Sequence, residues 1–120
     1  MRILVVEDDE HLRGALKRML RGWDVTECSN GREALELLGV GWEFDIVLSD
    51  MEMPIMDGRQ FFQALQHVRP ELVGRFAFLT GGARDREGAM FLETCSVPVF
   101  RKPNDFGKLA AQLQELAGAA

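Results

Sequence analysis

The stretch FDIVLSDMEMPIMDG, Phe44 to Gly58, decides how this chain is read. Its first part, FDIVLS, is apolar and rich in branched residues, the signature of a buried strand. It stops on a carboxylate, Asp50. Behind that acid come three methionines, a proline and an Asp-Gly pair. A stable core does not call for an acid at that point, so Asp50 needs a reason that packing alone does not give.

Similar units lie on either side. RILVV (Arg2 to Val6) reads as a strand buried on both faces. After it, Leu12, Ala15, Leu16, Met19 and Leu20 share one helical face. WDVTEC reads as a second strand. NGREALELL follows, with Asn30 and Glu33 spaced as a capping box. Asp57 can cap a third helix with Phe61, Phe62, Leu65 and Val68 inward. RFAFLT gives a fourth strand. A poor helix containing Gly88 comes next, then VPVF, and then a helix from about Asp105 to Ala117 with a tail, 118–120, expected to fray. Five strand–helix repeats in 120 residues imply one α/β domain over residues 1–120, a doubly wound parallel sheet with right-handed crossovers. Pro98 lacks a ladder donor, which places strand five on an edge.

Composition narrows the function. Fourteen basic against nineteen acidic residues leave a formal charge of −5, which lacks the basic footprint of direct nucleic acid binding. No apolar run approaches the roughly 20 residues a membrane span needs. The start of the chain resembles no leader, so the expected location is cytoplasmic. Cys28 and Cys95 have no metal-ligand spacing and read as reduced thiols.

In an open parallel sheet, sites form outside the carboxyl ends of the strands. Here those ends carry Glu7, Asp8 and Asp9, then Asp50, then Thr80, then Lys102. If strands one and three are neighbours, three aspartates share one pocket. Two like charges ~4 Å apart repel by about 4 kcal/mol at an effective dielectric near 20. Lys102 offsets one charge, and the remainder suits a divalent ion. Oxygen-only ligands favour Mg²⁺. Each residue alone has a plainer reading. Asp8 or Asp9 can be a helix N-cap, Thr80 can reflect β-propensity, and Lys102 can be a solvated edge charge. Their coincidence at one end of the sheet favours a site.

ILVVEDD, DMEMPIMDG, FLT and RKP, in this order and spacing, resemble the receiver domain of two-component response regulators across essentially the whole chain. The resemblance implies a flavodoxin-like 2-1-3-4-5 strand order. It also implies phosphoryl transfer from a phosphohistidine on a histidine kinase or phosphotransfer protein to Asp50. Asp9 and Asp50 would ligate Mg²⁺, with Asp8 helping through water and the Glu52 backbone carbonyl completing the set. Lys102 and Thr80 would contact the phosphoryl oxygens, and Pro103 would hold the strand-five loop through a cis bond. The domain would catalyse only its own phosphorylation and dephosphorylation, and dimerise through the face of helix 4, strand 5 and helix 5.

Val99 stands where many members carry an aromatic ring. With Gly81 and Gly82, this resembles receivers fused to hybrid histidine kinases and directs the expected shape change to strand 4, helix 4 and strand 5. Other readings are an unphosphorylated pseudo-receiver, with only Val99 in its favour, and an aspartyl-phosphate phosphohydrolase, whose acids are spaced differently. Nucleotide binding would need a glycine-rich loop after RILVV, which is absent.

Overall fold

A computed structural model describes residues 1–81, 86–102 and 105–119. Pro103 and Gly82, both singled out from the sequence, lie outside the described residues. The strands are β1 (Arg2–Val6), β2 (Asp24–Cys28), β3 (Ile46–Asp50), β4 (Phe76–Thr80) and β5 (Val99–Arg101). The helices are α1 (Glu10–Met19), α2 (Gly31–Gly39), α3 (Gly58–Val68), α4 (Arg86–Thr94) and α5 (Phe106–Ala119). The sheet order is β2-β1-β3-β4-β5 and every pairing is parallel. This is the expected doubly wound, flavodoxin-like topology, with β5 on an edge.

Successive strand residues point to opposite faces, and both faces are covered. Leu4, Val6, Val47, Phe76 and Phe78 pack under α2 and α3, with α4 supplying Phe91 and Leu92. Ile3, Val5, Ile46, Leu48, Ala77, Leu79 and Phe100 pack under α1 and α5. On the first face Phe62 bridges Phe76 and Phe78, at ring centroids of 4.9 and 5.7 Å, and Phe91 of α4 closes on Phe78 at 5.7 Å.

Local signals set the helix starts. Asn30 Oδ1 accepts from the Glu33 N–H. The return half of that expected box is displaced by one residue, because Glu33 takes the backbone N–H and hydroxyl of Ser29. Asp57 and Gln60 complete a reciprocal box at α3. One inner-face position differs from expectation. Val68, the last residue of α3, is half exposed, and Leu72 from the 3-10 turn at Pro70–Arg75 is buried in the core instead. The chain leaves the helix just where the next inward position falls. α5 runs to Ala119, beyond the expected Ala117.

Candidate functional site

The acidic cleft opens where β1, β3 and β5 end. It is lined by Glu7, Asp8, Asp9, Asp50, Glu52, Gly81 and Lys102, with a volume of about 380 Å³. Pleat parity builds it. Ile3 and Val5 face α1 and α5, so Glu7, two positions on, takes the same side. Ile46 and Leu48 do the same for Asp50, and Phe100 does so for Lys102. Three charged side chains from separate strands therefore converge at the rim.

Glu7 and Asp50 are almost fully buried. Lys102 Nζ lies 2.9 Å from Glu7 Oε1 and 3.1 Å from Asp50 Oδ2. Burial, and then the neighbouring Asp50 carboxylate, push the Glu7 carboxyl up to about 8, although Lys102 pulls the other way. Burial alone would lower the Lys102 ammonium, but its hydrogen bond to Glu7 and the charge of Asp50 outweigh that and raise it. One cation is thus shared by two buried carboxyl groups. Asp8, exposed at the rim, brings a third, and ligand oxygens of Glu7, Asp8 and Asp50 lie within 4.8 Å of one another. This donor set, hard oxygens with excess negative charge, fits Mg²⁺.

Asp9, expected to ligate the metal, stands where the cleft meets the start of α1. Asp9 lines the cleft, but its Oδ1 accepts from the backbone N–H groups of His11 and Leu12 at 2.9 and 3.2 Å, so it is the N-cap of α1. Its own N–H points to Glu7 Oε2 at 3.4 Å. This capping role engages Oδ1. Glu7, at the same strand end but outside the metal set that the resemblance implies, belongs to this cluster. A count of two from Val5 was the signal that could have found it.

Thr80 is fully buried at the end of β4 and is not among the cleft-lining residues. Its carbonyl accepts from the Lys102 N–H at 2.8 Å, which ties the two strand ends together. Glu52 reaches the cleft wall. Both histidines are exposed on helices and take no part. Cys28 and Cys95 are free thiols.

The loop after Asp50 is under strain. Ile55 has φ of 69° and is largely exposed. A left-handed conformation costs an L residue about 1–2 kcal/mol, more than the 0.5–1 kcal/mol of chain entropy lost with glycine. Ile55→Gly should therefore stabilise the protein by about 0.5–1 kcal/mol in urea unfolding. A lower midpoint would show that the side chain has packing value there.

Fold and cleft together define an aspartate-centred α/β domain. The family model for the response regulator receiver domain matches residues 3–114. The chain is 34% identical over 117 residues to the sensor kinase CckA of Brucella abortus (strain 2308), covering 95% of this chain and 12% of that protein. It is 32% identical over 120 residues to the transcriptional regulatory protein PcoR of Escherichia coli, covering 96% of this chain and 50% of that protein. Among solved structures, the signal receiver domain of a histidine kinase from Syntrophus aciditrophicus superposes with a TM-score of 0.85 at 29% identity, covering 99% of this chain and 91% of that one. The chain belongs to the response regulator receiver domain family. It is a signalling domain of two-component systems, in which receivers interact with histidine kinases or phosphotransfer proteins. It spans half or less of the two curated relatives named here. Among the described residues no helix is long and apolar enough to cross a membrane.

Proposed function

We propose that Asp50 is the phosphoacceptor of this receiver, and that Glu7, Asp8 and Asp50 form the acidic seat of a Mg²⁺ ion with the Glu52 backbone carbonyl as a further ligand. The observation that carries this reading is the shared lysine. Lys102 sits 2.9 and 3.1 Å from Glu7 and Asp50, so its positive charge lies beside the oxygens of the proposed acceptor. A carboxylate oxygen of Asp50 forms the new O–P bond. The P–N bond to the donor imidazole breaks, and its electron pair stays on nitrogen. Bound Mg²⁺ supplies charge neutralisation for the transferring oxygens. Phosphoryl transfer needs little else beyond positioning, so Lys102 and the rigid strand ends provide the rest. The domain then acts only on itself, in the cytoplasm, with a histidine kinase or phosphotransfer protein as donor.

The acyl phosphate adds negative charge beside Lys102, and the Thr80 hydroxyl, buried at the end of β4, would turn toward it. The response falls on α4, which buries none of its residues fully. The face of α4, β5 and α5, where β5 leaves an open sheet edge, is the surface proposed for self-association.

Incubation with Mg²⁺ and a small acyl phosphate, followed by intact-mass analysis, tests the acceptor role. Lack of a phosphorylated species would remove it. The ligand assignment has its own test. Asp8→Asn should weaken Mg²⁺ binding at least tenfold by calorimetry. Asp9→Ala should leave binding within about threefold yet lower stability by about 1 kcal/mol through the lost cap. The reverse pattern would return the ligand role to Asp9.

A further inference from the structure

We propose that Arg13 is a positioning residue for the metal-binding carboxylates, pinning the Glu7–Asp8 peptide by its carbonyl while Lys102 holds the Glu7 side chain. This rests on the Mg²⁺ reading above. Arg13 lies on α1, and a solvated arginine there would do no more than pair with surface acids. Instead its Nη1 donates to the Glu7 backbone carbonyl at 2.8 Å, and its Nε lies 3.6 Å from Glu27 at the end of β2. The side chain is only 19% exposed.

Glu7 is thereby held at each of its polar groups. Its N–H donates to the Cys28 carbonyl at 3.0 Å, its side chain meets Lys102, and its carbonyl accepts from Arg13. That carbonyl belongs to the peptide that leads out of the sheet into Asp8. Asp8 is exposed, so burial does not fix it. With the preceding peptide plane pinned, the Asp8 carboxylate is directed toward Glu7 and Asp50. A planar guanidinium can hold a carbonyl and a carboxylate at once, which a single ammonium cannot do in the same geometry. Groups that orient metal ligands in this way typically change metal affinity by about 10–100-fold when removed.

Charge alone predicts the opposite sign. Deleting a cation near an acidic cleft should tighten Mg²⁺ binding. Lys17 provides the control, because it pairs with the same Glu27 at 3.9 Å and is placed on the same helix. Mg²⁺ titrations by calorimetry, on proteins shown to be folded by circular dichroism, separate the two effects. Arg13→Met should raise the dissociation constant about tenfold. Arg13→Lys should move in the same direction, and it carries the test if Arg13→Met does not fold. Lys17→Met should bind within about twofold of wild type or slightly tighter. The Asp8 backbone ¹⁵N resonance should shift in Arg13→Met before any metal is added, as its peptide carbonyl loses a charged donor. Equal or tighter Mg²⁺ binding by both Arg13 variants would overturn the proposal while leaving the metal site intact. A wild-type protein that binds no Mg²⁺ would remove the metal reading and this inference with it.

Discussion

Asp50→Asn is expected to abolish phosphoryl uptake from a small acyl phosphate, with no phosphorylated species by intact mass under conditions that label the wild type. The substitution keeps the shape of a buried residue and leaves Lys102 its 2.9 Å contact with Glu7, so the fold should survive. The nucleophilic oxygen goes, and an amide forms no comparable acyl phosphate. A second readout comes from Glu7. Burial and Asp50 both raise its carboxyl, to about 8. Removing the Asp50 charge leaves burial as the main raising cause, so the Glu7 pKa should fall in the variant, visible by carboxyl ¹³C resonances across a pH series. Mg²⁺ should also lose much of its stabilising effect, which for a site at 100 times its dissociation constant is about 2.7 kcal/mol. Phosphorylation of Asp50→Asn at the wild-type level would show that the acceptor lies elsewhere.

Gly58→Ala should produce the largest loss of stability among single-methyl additions at the described glycines. Gly58 opens α3 directly behind the acceptor strand. A Cβ there would collide with the Asp50 carbonyl oxygen and come within 2.8 Å of the Met51 Cα. Those are backbone atoms and cannot swing aside as a side-chain tip can. The Gly58 N–H also donates to the Met51 carbonyl at 2.9 Å, so helix and strand end are tied at this point. Overpacking of this kind costs about 1–3 kcal/mol and occasionally more, which for a chain of this size lowers Tm by roughly 5–10 °C. The displaced Asp50 backbone should weaken Mg²⁺ binding as well. Gly39→Ala gives the comparison, since nothing lies within 4 Å of its added carbon. A Tm for Gly58→Ala within a degree or two of wild type would mean that α3 shifts freely, contrary to its tight junction.

Much of the fold was legible because its signals are local. Apolar runs of strand length, helical spacing in α1 and α5, and caps at Asn30 and Asp57 each sit within a few residues. Pro98 correctly placed β5 on an edge. At one core position a distant contact decided. Val68 carries the right spacing for the α3 interior, but the helix ends there and Leu72 takes the space. In the site, Asp8, Asp9, Asp50 and Lys102 all line the cleft, with Asp9 also capping α1, whereas Thr80 is fully buried and is not among the lining residues. Three adjacent acids look alike in a sequence. Which of them faces the sheet interior, which the solvent and which the helix start depends on where the strand ends and the chain turns.

The amino-acid order by itself determined the five strand–helix units and the polar character of one end of the sheet, because both arise from interactions between near neighbours. The tertiary structure alone decided that Glu7 belongs with Asp50 and that Lys102 lies between them. It also decided that Arg13 reaches back to the Glu7 carbonyl. Those arrangements depend on strand register and pleat parity across residues as far apart as Glu7 and Lys102, and on the crossing of α1 over the end of β1, which no short window of sequence encodes.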